Sequence, residues 1–206
     1  YITVVGQGRT TVVPDIASLE LGVQTSAATV EEAMTTNTDT MDAILAALAE
    51  AGIADKDVQT SSYNIYLDEG YRGPEMASNP VYRVSNMVNV KVRDLETVGE
   101  VLDAAVTAGA NQIWGVSFTV EDRTAAEEEA RAKAVADART RAEALAALAE
   151  VEVGEVLSIS EIITGVISPL YSGVAMEMSA GMGGGGSIAP GELDYSTSIQ
   201  VTYALK

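Results

Sequence analysis

The sequence predicts an α+β protein with mainly antiparallel sheets, three helices and two packed subdomains. Several stretches alternate apolar and polar side chains, which is typical of antiparallel strands with one solvated face. Three longer stretches repeat apolar or small residues at helical spacing and begin with capping residues. Hydrophobic residues make up 47% of the 206-residue chain, which is enough for a substantial core.

The chain opens with two predicted strands. Residues 2–13 are rich in threonine and valine, and residues 17–24 alternate apolar and polar side chains. Pro14-Asp15 between them is typical of a turn, so we expect the two strands to form a hairpin. Gly6-Gln7-Gly8 lacks the third glycine and the following helix of a nucleotide-binding loop. We interpret it as a bulge or a close approach of another backbone.

The first predicted helix has clear signals at both ends. Thr29 and Glu32 form a capping box, and Gly52 is placed to end the helix in a left-handed conformation. A strand over residues 58–67 follows. The resulting ββαβ order defines the first predicted subdomain, residues 1–75.

The second predicted subdomain, residues 76–206, has the order βαβαβ followed by a final strand. Asp94 is expected to cap its first helix, and Gly109 to end it. Trp114 and Phe118 alternate on one face of the next strand, and we expect both in the core.

A long helix is predicted over residues 124–150, beginning with a capping box of Thr124 and Glu127. Three helical pairs of opposite charge are expected to support it: Glu127/Arg131, Glu129/Lys133 and Asp137/Arg141. Alanines repeat along one face and allow close packing on a sheet. The last two strands enclose a Met/Gly-rich loop at residues 165–190.

The charge excludes some partners. A formal net charge of -18 disfavours nucleic-acid phosphates and anionic lipids. No apolar run reaches the length of a bilayer span, so we expect no direct membrane insertion. The chain begins at Tyr1 within a strand-like pattern, and we expect that a targeting segment is missing from it.

The chain contains no cysteine and no histidine, which excludes a Ser-His-Asp triad, a thiol nucleophile and the usual zinc sites. Two close pairs of carboxylates, Asp55/Asp57 and Glu192/Asp194, are candidates for acid–base work or calcium binding. In so acidic a chain we interpret them as solvated. We therefore predict no catalytic residue, no cofactor and no enzymatic activity, with a hydrolase as the least favoured alternative.

Met176, Met178 and Met182 are weak candidates for a metal site, because three thioethers suit Cu(I). They can equally be apolar filler or a surface for a partner, and they can be oxidised sacrificially to sulfoxide. The adjoining GMGGGG run lacks the Lys-Ser/Thr of a phosphate-binding loop, so we interpret it as a flexible insertion.

Four tyrosines cluster around the predicted loop at residues 68–80: Tyr63, Tyr66, Tyr71 and Tyr82. Tyrosine is favoured at protein interfaces, so this cluster is a candidate interaction surface. Packing at strand ends is an equally open interpretation.

Five segments occur in an order that resembles the SIMPL-domain family of YggE-like bacterial envelope proteins. They are ITVVGQGRTTVVPDIASLELGVQT, AGIADKDVQTSSYNIY, VRDLETVGEVLDAAVTAGANQIWGVSFTVED, ARAKAVADARTRAEALA and PGELDYSTSIQVTYAL. The resemblance covers nearly the whole chain. One departure is LAEVEVGEV, where the family usually has a glycine at the end of the third helix.

The resemblance implies an exported protein in the periplasm or on the cell surface. Bacterial relatives are associated with oxidative-stress tolerance and described as self-associating, and a eukaryotic relative is an adaptor that binds a kinase. The family has no established catalytic residues to carry over. We therefore predict a non-enzymatic envelope protein that acts by self-assembly as a homo-oligomer or by binding a protein partner. A ligand- or Cu(I)-binding protein is the alternative.

Overall fold

A computed structural model describes residues 1–69, 80–169 and 188–206, and for residues 163–169 it describes the backbone alone. The strands are β1 (Ile2–Val12), β2 (Ile16–Ala27), β3 (Val58–Asp68), β4 (Val81–Val92), β5 (Gln112–Thr119), β6 (Val153–Pro169) and β7 (Leu193–Leu205). The helices are α1 (Val30–Glu50), α2 (Val98–Thr107) and α3 (Thr124–Leu148). Two antiparallel sheets with three helices confirm the α+β class, and the predicted order of elements is confirmed.

The described residues fall into two units. The three-stranded unit comprises residues 1–14, 119–169 and 189–206, and the four-stranded unit comprises residues 15–69 and 80–118 with Ile188. These units differ from the predicted subdomains 1–75 and 76–206. The difference arises because β4 and β5 complete the sheet that β2 and β3 begin, whereas β1 pairs with the last strand of the chain.

The three-stranded unit is a sheet of order β1-β7-β6 with α3 across it. Strands β1 and β7 pair antiparallel over their full length, from Ile2 opposite Tyr203 to Val12 opposite Leu193. Six alanines spaced four apart form the buried stripe of α3: Ala126, Ala130, Ala134, Ala138, Ala142 and Ala146. Their small side chains let the helix backbone lie close to the sheet.

Gly6 and Gly8 of β1 lie directly under this stripe. A Cβ atom added at Gly6 would collide with the carbonyl oxygen of Ala134, and one at Gly8 with that of Ala130. The interpretation of this Gly-x-Gly as a close backbone approach is therefore confirmed.

The ends of α3 differ slightly from the prediction. The helix begins after Arg123, and the Asp122 carboxylate accepts a hydrogen bond from the backbone N–H of Thr124, so Thr124 is not the capping residue. It ends at Leu148. The three predicted i,i+4 ion pairs are all present.

The four-stranded unit is a sheet of order β3-β4-β2-β5, with α1 and α2 on one face. Its core joins both helices to the inward residues of β2 and β4, such as Leu19, Leu21 and Val90. Fully buried Asn37 fixes α1 to the sheet, because its Nδ2 donates to the carbonyl oxygens of Val23 and Val84 at 3.2 and 3.1 Å.

The predicted hairpin of the first two strands is wrong. β1 pairs with β7, and β2 pairs with β4 and neighbours β5. Pro14-Asp15 lies between two strands that enter different sheets.

The helix ends in the four-stranded unit follow the sequence signals. The Thr29 hydroxyl accepts from the backbone N–H of Glu32, and Gly52 adopts a φ of 88° after α1. Gly109, with a φ of 112°, follows α2. Asp94 caps a short 3-10 turn, Leu95–Thr97, that leads into α2.

Candidate interaction surface

Strand β3 forms one edge of the four-stranded sheet. In the described part of the chain it pairs with β4 alone, so the backbone groups on its other side have no strand partner. From Val58 to Leu67 the strand carries no charged residue, although the chain as a whole has a net charge of -18. Exposed edges are usually protected by charged side chains or proline, and this one has neither.

The outer half of β3 exposes large apolar and aromatic side chains. The register with β4 shifts between Thr60 and Ser62, which leaves Ser61 as the extra residue of a bulge. Beyond the bulge, four large side chains lie within five positions, with only Asn64 between them. Each is between 41% and 48% exposed: Tyr63, Ile65, Tyr66 and Leu67.

An apolar groove runs between β3 and α1. Met41, Leu45 and Ala49 recur every four residues along α1 and therefore share one face of the helix. A mainly apolar cavity of about 260 Å³ is lined by these residues together with Val58 and Thr60 of the strand, Ile53, Val88 and the charged Asp55. We call β3 and this groove together the β3 surface. It combines unpaired backbone with an apolar slot for side chains.

The predicted tyrosine cluster is only partly gathered at this surface. Tyr63 and Tyr66 are exposed on β3 but lie three positions apart, so they point to opposite faces of the sheet. Tyr82 is half-buried in β4, opposite Leu67. Tyr71 lies outside the described residues. The role of these tyrosines in binding stays a prediction.

The predicted carboxylate pairs do not form acidic sites. Asp57 is 7% exposed, and Arg93 donates to both of its oxygens, from Nε at 3.0 Å and from Nη2 at 2.9 Å. This hydrogen bonding and the positive charge of Arg93 lower the pKa of Asp57, against the opposing effect of burial. Asp55 is exposed beside it. A carboxylate held ionised in this way is a poor general base.

The second candidate pair, Glu192 and Asp194, does not form an acidic site either. Glu192 is exposed and precedes β7, whereas Asp194 lies in β7 opposite Thr11 of β1. Among the described residues, no group of three or more aspartates and glutamates is placed to hold a metal ion. Met176, Met178 and Met182 lie outside the described residues, so the Cu(I) alternative stays a prediction.

The expectation that Trp114 lies in the core is wrong. It is 73% exposed rather than buried, whereas Phe118 packs partly against the core as expected. Gly115 between them adopts a φ of 122°, outside the β region, so the two-residue alternation does not extend from Val116 back to Trp114.

Hydrophobic periodicity did not reveal the β3 surface, because residues 58–67 have the alternating pattern of an ordinary strand. The lack of charge from Val58 to Leu67 does not single it out in the sequence, because residues 104–120 form a longer uncharged run. The sequence likewise contains no signal for the buried ion pair of Asp57 with Arg93, since the two residues are 36 positions apart.

The described residues thus form an α+β chain of two sheet-and-helix units with an uncharged stretch, Val58–Leu67, along one sheet edge. The profile of the SIMPL family, described as proteins of unknown function (DUF541), matches residues 2–203. The chain belongs to this family.

Curated proteins similar to this chain are named as periplasmic or as uncharacterized. The 26 kDa periplasmic immunogenic protein of Brucella melitensis is 37% identical over 214 residues, covering 100% of this chain and 84% of the relative. The Brucella abortus protein of the same name is 36% identical over the same shares. The uncharacterized protein YggE of Escherichia coli K12 is 28% identical over 159 residues, covering 77% of this chain and 64% of the relative.

Proposed function

We propose that this chain is a non-enzymatic, exported protein of the cell envelope that acts by self-assembly, with the β3 surface as the contact between copies. Export is supported by the Brucella relatives, whose printed name describes a periplasmic protein. None of the helices in the described segments has the length and hydrophobicity of a membrane span. The observation that carries self-assembly is the uncharged stretch Val58–Leu67 of β3, whose outer edge has no strand partner among the described residues.

Strand addition is the binding mode that this edge fits. A strand laid against β3 would satisfy the free backbone donors and acceptors, and alternate side chains would enter the groove beside α1. Main-chain bonds supply affinity in this mode, and the side-chain pockets supply selectivity. The exposed Ile65 and Leu67 would lose water-accessible surface at the same time.

A second copy of β3 is the occupant that the charges favour. Two chains of net charge -18 repel each other over most of their surface. If β3 pairs antiparallel with its own copy around a two-fold axis, neither strand brings a charge opposite a like charge between Val58 and Leu67. Contact through this edge would therefore not bring like charges of the two acidic chains directly together.

Sedimentation velocity with edge variants tests this proposal. The wild-type chain is expected to sediment as a homo-oligomer. Ile65→Lys places two like charges at the contact and should weaken association by at least about tenfold. Ile65 is exposed, so the variant should keep the circular dichroism spectrum and melting temperature of the wild type to within a few degrees.

The matched control is Val13→Lys, which makes the same change of charge at an exposed apolar residue outside the β3 surface. It should leave the sedimentation coefficient unchanged. A wild-type chain that stays monomeric at high concentration and physiological salt would refute self-assembly. Equal sedimentation of the wild type and both variants would refute the β3 contact.

The proposal includes a link to oxidative-stress tolerance through methionine. The chain has seven methionines and no cysteine, and methionine sulfoxide is a reversible product of oxidation. Met34 is 38% exposed, whereas Met41 and Met87 are buried. Under dilute hydrogen peroxide, peptide mass spectrometry should find Met34 oxidised well before the other two. Equal oxidation rates at all three would contradict selective oxidation of the folded chain.

The non-enzymatic part of the proposal is supported by the chemistry of the described side chains. Asp57 is the buried carboxylate among them, and its two oxygens are occupied by Arg93. The sequence supplies neither histidine nor cysteine as an alternative base or nucleophile. Hydrolysis of generic ester and peptide substrates should stay at the buffer rate.

A further inference from the structure

The four-stranded unit concentrates its few positive charges at one pocket. Its described basic residues are Lys56, Arg83, Lys91 and Arg93, and acidic residues greatly outnumber them. Three of these four, all except Arg83, line a cavity of about 440 Å³ between the end of α1 and the end of β4. Arg83 is paired with Asp68. The other described cations of the unit therefore share one pocket.

One of the three cations is already neutralised. Arg93 holds Asp57 in a two-pronged ion pair, with contacts of 2.9 and 3.0 Å. The other acidic residue of the lining, Asp94, accepts a hydrogen bond from the backbone N–H of Glu96. The buried carboxylate therefore needs no further positive charge to balance it.

Lys56 and Lys91 take no part in the ion pair of Arg93 with Asp57. Both are exposed, and neither forms an ion pair within the described segments. Both are close enough to Asp57 to lower its pKa, which places their charges around the same pocket. Gly52, which has no side chain, also lines the cavity, so main chain as well as the lysine side chains shapes it.

We propose that this pocket binds a small, soluble oxyanion such as a phosphate or carboxylate group, held between Lys56 and Lys91. The lining carries three cations, Lys56, Lys91 and Arg93, against two carboxylates, Asp57 and Asp94, so it is positive on balance within an otherwise acidic unit. Lysine ammonium groups bind phosphate as point charges with rotatable donors. The site does not depend on β3 or on self-assembly.

Calorimetry with inorganic phosphate on the full chain at low ionic strength tests the proposal. The wild type should show saturable binding that weakens as sodium chloride is added. Lys56→Gln and Lys91→Gln should each weaken phosphate binding about threefold, and the double variant about tenfold. Both lysines are exposed, so the variants keep the fold. Arg93 is left intact because its loss would leave Asp57 buried without a partner.

The matched control replaces Lys133 and Arg141 with glutamine, which removes two exposed cations from α3 in the other unit. This control should bind phosphate as the wild type does. Absence of saturable binding, or equal binding by the Lys56/Lys91 double variant, would overturn the proposal.

Vesicles of phosphatidylglycerol separate a soluble anion from a lipid headgroup. They should not retain the protein in a flotation assay, since the surrounding surface is acidic. Retention that requires Lys56 and Lys91, without binding of free phosphate, would overturn the assignment to a soluble ligand.

Discussion

At the scale of single residues, Asp57 shows how a buried charge is kept in this fold. Asp57 immediately precedes β3, and Arg93 immediately follows β4, the strand that pairs with β3. Arg93 keeps part of its side chain in solvent, so its own desolvation is limited. The pair therefore ties the end of one strand to the end of the next.

The pH dependence of stability follows from the lowered pKa of Asp57. Because this pKa is depressed on folding, the carboxylate stabilises the folded state above its ordinary pKa. That contribution is lost as the pH falls through the folded value. Asp57→Asn should cost about 1–3 kcal/mol near pH 6 and less near pH 3, as measured by urea unfolding.

The matched control is Asp39→Asn, which removes an exposed carboxylate from α1. It should change the free energy of unfolding by less than about 0.5 kcal/mol at either pH. If Asp57→Asn cost the same at both pH values, the stabilising role of the ionised carboxylate would be disproved.

At the scale of elements, the packing of α3 on β1 depends on Gly6 and Gly8. A side chain at either position meets the helix backbone, which cannot rotate away as a flexible side chain could. Gly8→Ala should therefore destabilise the chain by at least about 2 kcal/mol in thermal or urea unfolding.

Gly99→Ala is the matched control for this change. Gly99 lies within α2 with no atom within 4 Å of the added Cβ. Alanine is the better helix former, so this variant should be neutral or more stable by about 0.5–1 kcal/mol. Equal effects of the two substitutions would show that the close approach of α3 does not limit the side chain at Gly8.

The same elements show how far sequence reasoning reaches. Caps and periodicity predicted the order of strands and helices, because Thr29, Gly52 and Gly109 act through local backbone conformation. The predicted pairing of the first two strands was wrong, because alternation fixes which face is buried but not which strand lies alongside. The pairing of β1 with β7 joins residues at opposite ends of the chain.

The candidate surfaces were less predictable than the fold. Tyr63 and Tyr66 were identified by residue type, but the groove lined by Met41, Leu45 and Val58 forms only when α1 packs on the sheet, which the tertiary structure alone gives. Lys56 and Lys91 are far apart in sequence and meet through the same packing. The sequence predicted Trp114 in the core because it does not reveal the positive φ of Gly115, which interrupts the alternation of faces along β5.

At the scale of the whole molecule, the negative net charge opposes the association of copies. A net charge of -18 keeps copies apart, and salt weakens that repulsion. Association through an uncharged strand should therefore strengthen as ionic strength rises, unlike the binding of an anion at Lys56 and Lys91, which should weaken. The two proposed contacts can thus be separated in one salt titration.

The most direct test of self-assembly through β3 is amide hydrogen exchange at two protein concentrations in physiological salt. The account predicts that amides of β3 exchange more slowly at the higher concentration, because a second strand protects the outer edge. Amides of β4, paired on both sides within the sheet, should exchange equally slowly in both samples. Exchange of β3 at the same rate in both, with the protein shown to be an oligomer at the higher concentration, would contradict the account.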